Sequence, residues 1–143
     1  MILLVDASAA VDLLVRSRPG ERVRQFLDRM PDATLMSVTH LDAEVLSALA
    51  RLHRAGVLDD AEVASLLARL ADMPMQRLPI TADLLHAAWS LKDNVAARDA
   101  LYVAAAHAVD GRLLTTDQRL ARAVPTITVP LEPWTDEDPD RDR

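Results

Sequence analysis

Four acidic residues stand where their spacing allows chemistry: Asp6, Glu44, Asp99 and Asp117. Asp6 ends the apolar run ILLV (2–5), and Asp117 follows RLLTT (112–116). Glu44 lies at the edge of an apolar stripe made by Leu41, Val45, Ala48, Leu49 and Leu52, and Asp99 opens an alanine-rich segment. Singly, each has an ordinary structural role. Asp6 and Asp117 can cap helices, Asp99 suits the positive end of a helix, and Glu44 can pair with Arg51 or reach water. Together at one end of a sheet they would repel one another unless a cation sat among them. Mg²⁺ is such a cation: it takes hard oxygen ligands and keeps several waters. The reaction suited to it there is attack of water on a phosphodiester.

The elements that must position these acids alternate between strand and helix. ILLV (2–5), TLMSV (34–38), MQRLPI (75–80), RLLTT (112–116) and TITV (126–129) predict five strands, the third weakened by Pro79. Ser8 is read as the cap of a first helix, and Pro19 with Gly20 as the break after it. Val23, Phe26, Leu27 and Met30 recur at helical spacing. Thr39 with Asp42 predicts a capping box for a helix reaching Arg54, closed by Gly56. Asp59 and Thr81 start two further helices, and the segment from Arg98 to before Gly111 is apolar on nearly every side. QRLARAV predicts a last short helix. Strands alternating with helices call for a parallel sheet covered on both faces. Ligands of such sheets gather beyond the strands' carboxyl ends, which is where Asp6 and Asp117 fall.

The 143 residues fit one domain, and half of them are hydrophobic, which excludes disorder for most of the length. Domain boundaries are placed at 1–135, with an acidic, disordered tail over 136–143. Net charge is −6, which at first argues against nucleic acid. The tail carries five acids and two arginines, leaving 17 acids and 14 bases in the body. With four of those acids on metal, the remaining surface is near neutral. Without cysteine, disulfides and thiol catalysis are excluded. No apolar run is long enough for a membrane span, and no basic segment precedes the first apolar run. The expected location is cytoplasmic.

LLVDASAAV, HLDAEVLSALARL, ARDALYVAAA and LLTTDQRLA, in this order and spacing, resemble the PIN domain, and in particular the VapC toxins of bacterial toxin–antitoxin pairs. The resemblance spans about residues 2–130. It implies a three-layer α/β/α fold and a Mg²⁺- or Mn²⁺-dependent endoribonuclease. It implies Asp6 and Asp99 as core metal ligands, with Glu44 and Asp117 completing the catalytic set. Ser8, Thr115 and Thr116 are candidates to orient that set, and Arg98 to face RNA or balance the acids. The partners implied are an RNA substrate, a VapB-type antitoxin and a second copy of the chain.

Two other classes compete. One is another metal-dependent phosphohydrolase; an aspartyl-phosphate enzyme of that kind would need a well-placed lysine, and Lys92 is the only one. A non-catalytic PIN-like module would use the acids to receive basic arms of a partner, and the intact quartet argues against it. Three glycines, at 20, 56 and 111, make no phosphate-cradling loop. His40, His53, His86 and His107 share no metal-binding spacing, and Trp89, Trp134, Tyr102 and Phe26 are too scattered for a base-stacking platform.

Overall fold

The computed structural model describes residues 1–131. The acidic tail, with Trp134 before it, lies outside the described residues. Four strands, β1 (Ile2–Val5), β2 (Thr34–Val38), β3 (Met75–Leu78) and β4 (Arg112–Leu114), form a parallel sheet in the order β3-β2-β1-β4. Leu3, Leu4, Leu113 and Leu114 are fully buried, as strands covered on both faces require.

Among the described residues seven helices connect and cover the sheet: α1 (Ala7–Val15), α2 (Arg18–Asp28), α3 (Leu41–Arg54), α4 (Asp60–Asp72), α5 (Ala82–Trp89), α6 (Ala97–Ala108) and α7 (Gln118–Ala123). The right-handed crossover rule sorts the first six into layers. The chain steps from β1 to β2 to β3 in one direction, so α1–α4 cover one face. It then returns past β1 to reach β4, so α5 and α6 cover the other. Accordingly α6 packs on β1, β2 and β4, while α1 packs on α2, α3 and α4. The reversal between β1 and β4 leaves a crevice beyond their carboxyl ends, the place where open α/β sheets bind ligands.

Local signals set most boundaries. Asp59 and Thr81 accept hydrogen bonds from Glu62 N and Leu84 N as N-caps. Gly56, at φ +74°, closes α3, and Val57 N–H donates to Leu52 O as the chain leaves the helix.

Four expectations need correction. The cap of α1 is Asp6, whose Oδ1 accepts from Ala9 N at 2.9 Å; Ser8 lies inside the helix. Pro19 and Gly20 do not break the chain but fill the first turn of α2, whose cap is Ser17. Pro there lacks only an N–H that would be unsatisfied anyway, and Gly20 lets α2 cross α1 closely, since a Cβ would sit 1.9 Å from Asp12 O. The capping box at Thr39 does not form: His40 is the cap residue of α3 and makes no side-chain cap bond. TITV contributes one parallel bridge, Thr128 to Leu113, in place of a fifth strand. Pro125 and Pro130 bracket it and leave no room for a longer ladder.

Candidate active site

A cleft of about 310 Å³ opens at the carboxyl ends of β1 and β4, and Asp6, Glu44, Asp99 and Asp117 all line it. Each arrives by a different route. Asp6 follows β1 directly, and Asp117 follows β4 after two threonines. Glu44 projects from the first turn of α3, and Asp99 from the first turn of α6. Residues separated by up to 111 positions in the chain therefore meet because the sheet reverses direction at this point.

Asp6 is the buried member, 3% exposed. Its Oδ1 accepts from Ser8 Oγ at 2.7 Å and from Ala9 N, and its Oδ2 accepts from Thr115 Oγ1. Burial pushes its carboxyl up from 3.8 to about 6; the hydrogen bonds from Thr115, Ala9 and Ser8 oppose the shift, and the charge of Asp99 adds to it. Asp99 is also raised, first by burial and then by the nearby charges of Asp117 and Glu44, with Arg98 pulling the other way. The carboxylates thus sense one another across the cleft.

Asp117 uses Oδ1 to cap α7, accepting from Arg119 N and Leu120 N. Its own N–H donates to Ser8 Oγ and Thr115 Oγ1. Ser8 and Thr115 lie 3.1 Å apart and tie the turn after β1 to the turn after β4. Thr116 differs from them: its hydroxyl turns to Asp12 Oδ2 at 2.5 Å, and its N–H donates to Ser8 Oγ.

Glu44 is held from behind. Tyr102 Oη donates to its Oε2 at 2.9 Å, while His40 Nε2 and Arg98 Nε each stand 3.7 Å from its Oε1. Oε1 is buried and accepts no hydrogen bond among the described residues. Burial and the adjacent Glu44 drive the Tyr102 hydroxyl far above its ordinary range, so it remains a donor. Burial lowers His40, with Glu44 partly opposing. The His40 and Tyr102 rings lie 4.7 Å apart, tilted by 39°. Arg51, a sequence candidate to pair with Glu44, instead donates from Nη1 to Ser47 Oγ at 3.2 Å.

Two contributors were not legible as such. Tyr102 looked like one of four scattered aromatics, although its place three residues after Asp99 puts it one helical turn deeper on α6. Asp12 stands four residues before Arg16, the spacing of an ordinary surface pair on a helix. It lines the cleft and receives both Ser17 Oγ and Thr116 Oγ1, so it anchors the turn that carries Asp117.

The donor set fits a hard divalent ion: carboxylate oxygens, one of them buried without a hydrogen bond, held close enough to raise one another's pKa. Among the described residues no three acidic or imidazole groups converge tightly enough to ligate one ion unaided. That spacing suits an ion that keeps much of its water, as Mg²⁺ does.

A parallel α/β sheet with acids gathered at its switch point defines a class, the PIN domain, whose family model matches residues 3–124. The chain belongs to this family. Within it the chain falls among the VapC ribonucleases: it is 44% identical over 124 residues to Ribonuclease VapC3 of Mycobacterium tuberculosis, a match covering 87% of this chain and 88% of that one. Two solved structures share the fold. One is Mycobacterium tuberculosis VapC20, a sarcin–ricin loop cleaving toxin, with TM-score 0.67 and 17% identity over 92% of this chain and 99% of the other. The other is Rickettsia felis VapBC2 bound to a DNA fragment from its promoter, with TM-score 0.65 and 14% identity over 90% and 98%. Membership of this family implies dependence on a divalent metal. Among the described residues no helix is long and apolar enough to cross a membrane.

Proposed function

We propose that this chain is the toxin of a VapBC-type pair and hydrolyses RNA phosphodiester bonds at the cleft, with Asp6, Asp99, Glu44 and Asp117 holding Mg²⁺ or Mn²⁺. The observation that carries the reading is the arrival of all four acids on the lining of one cleft, with Asp6 kept buried at a cost to the fold. When bound, the ion supplies positive charge for a phosphoryl oxygen and acidifies an attacking water.

The chain's own groups do the rest. In this reading Asp6 and Asp99, both on the lining of the cleft, are the inner pair. Ser8 and Thr115 fix the Asp6 carboxylate in one rotamer by donating to both its oxygens. Tyr102 fixes Glu44 through Oε2, leaving the buried Oε1 without a hydrogen bond among the described residues. Asp117 commits Oδ1 to α7, which leaves Oδ2 for the site. Arg98, 77% exposed at the rim, offers a positive charge to an approaching polyanion.

The test is cleavage of purified RNAs with Mn²⁺ or Mg²⁺, comparing wild type with Asp6→Asn and Asp99→Asn. Wild-type cleavage that needs the ion and is lost in both variants is the expected result. Cleavage surviving either substitution overturns the assignment, and saturable Mn²⁺ binding with no cleavage of any RNA points instead to a binding module. The partners of this reading are a VapB-type antitoxin, which co-expression would test as relief of toxicity, and a second copy of the chain, which sedimentation would test.

A further inference from the structure

Helix α3 lays Glu44, Ser47, Ala48 and Arg51 along the cleft. The spacing i, i+3, i+4, i+7 makes them one stripe, about 10 Å long from first residue to last. The stripe is acidic at the end that joins the quartet and basic at the other. Arg51 is exposed, and among the described residues no carboxylate lies within ion-pairing distance of it. It had Glu44 available on the same helix face as a partner and donates to Ser47 Oγ instead. Arg98 has taken the place beside Glu44.

We infer that Ser47 and Arg51 form a subsite for an RNA backbone phosphate flanking the one that is cleaved. The inference rests on the ribonuclease reading of the acids and assigns the neighbouring contact. A cleft lined by four carboxylates repels every phosphate except the one at the ion. A polynucleotide crossing it therefore needs a cation placed a nucleotide or two away from the reacting bond, and Arg51 stands at that remove along the wall. One guanidinium N–H is held by Ser47, which fixes the orientation of the fork. The remaining donors meet no protein acceptor among the described residues, and a planar fork suits two oxygens of one phosphate. The Ser47 hydroxyl accepts from Arg51 and so keeps its own proton to donate to the same phosphate.

The experiment measures binding of a fluorescein-labelled, single-stranded RNA pool of mixed sequence by anisotropy, with Ca²⁺ present and across a salt series. Wild type is compared with Arg51→Ala, Arg51→Lys and Ser47→Ala, and Mn²⁺ binding and Mn²⁺-dependent cleavage are followed in parallel. Arg51→Ala is expected to weaken RNA binding by about tenfold and to lower the slope of log affinity against log salt by roughly 0.7, the loss of one single-strand phosphate contact. Arg51→Lys keeps the slope and recovers part of the affinity, since it restores charge without the fork. Ser47→Ala weakens binding with the slope unchanged. Mn²⁺ affinity and thermal stability stay at the wild-type level in all three. If wild type binds and cleaves while Arg51→Ala matches its affinity and slope, the subsite is overturned and the nuclease stands. If Arg51→Ala loses Mn²⁺ affinity, Arg51 serves the acids and the subsite is again overturned. If wild type neither binds nor cleaves RNA, the ribonuclease reading fails and the subsite with it.

Discussion

The Tyr102 hydroxyl donates a 2.9 Å hydrogen bond to Glu44 Oε2, joining α6 to α3 behind the acidic cleft. Tyr102 is 1% exposed, so its hydroxyl has no recourse to water. Each group therefore needs the other: the carboxylate gains a fixed rotamer, and the phenol gains the partner its burial demands.

Replacing Tyr102 by Phe keeps the ring and removes the donor. Glu44 Oε2 then sits in a half-buried place without its bond, which costs about 1–3 kcal/mol. Thermal denaturation should show that loss, and the rate of Mn²⁺-dependent RNA cleavage should fall by about tenfold with a comparable loss of Mn²⁺ affinity, by analogy with groups that orient metal ligands. A rate equal to wild type would show that Glu44 keeps its position without help.

The pH dependence of stability follows from Asp6. Its pKa rises from 3.8 in the unfolded chain to about 6 in the fold, so the folded state holds the extra proton between those values. Without metal, this residue's contribution is most favourable below pH 3.8, declines as pH rises through 6, and is unfavourable by about 3 kcal/mol above that. Asp6→Asn removes the charge and should raise the melting temperature of the metal-free protein at pH 8 but not at pH 4, while abolishing cleavage. Mn²⁺ should stabilise wild type more at pH 8 than at pH 5, because below 6 it competes with a proton. Scanning fluorimetry across pH checks both; a variant less stable than wild type at pH 8 would reverse the sign.

The parallel sheet was readable in the sequence because buried strands such as ILLV carry no polar residue to disguise them. Asp6 was readable for the same reason, since it ends such a run, and Asp117 because it follows RLLTT, the fourth expected strand. Glu44 showed as a charge at the edge of an apolar stripe. What the sequence hides is what depends on approach between elements. Gly20 looks like a breaker until α1 is seen crossing within reach of its Cα. TITV looks like a strand, and its flanking prolines limit it to one bridge. Tyr102 and Asp12 act through Glu44 and Thr116, partners 58 and 104 positions away, and no local pattern announces such pairs.

Gly20→Ala tests the first of these. The added carbon would lie 1.9 Å from Asp12 O, a backbone atom that cannot rotate away. The helices must separate, at a cost of about 3 kcal/mol or more. Because Asp12 holds Thr116 beside Asp117, the folded fraction should also cleave more slowly. Chemical denaturation gives the stability, and cleavage per folded molecule gives the second effect.

Thr115→Val separates geometry from charge at Asp6. Threonine and valine have nearly the same shape, but the hydroxyl both donates to Asp6 Oδ2 and accepts from Asp117 N. Its hydrogen bond is the largest influence opposing the rise in the Asp6 pKa. Losing it should push that pKa further above 6, so the pH at which Mn²⁺ binding is half lost should move upward. A buried carboxylate that loses one charge-assisted bond shifts by about one to two units, corresponding to about 1.5–3 kcal/mol. Thr115→Ser, which keeps the hydroxyl, should leave the midpoint near wild type. If valine and serine shift it equally, the methyl packing rather than the hydrogen bond sets the acidity of Asp6.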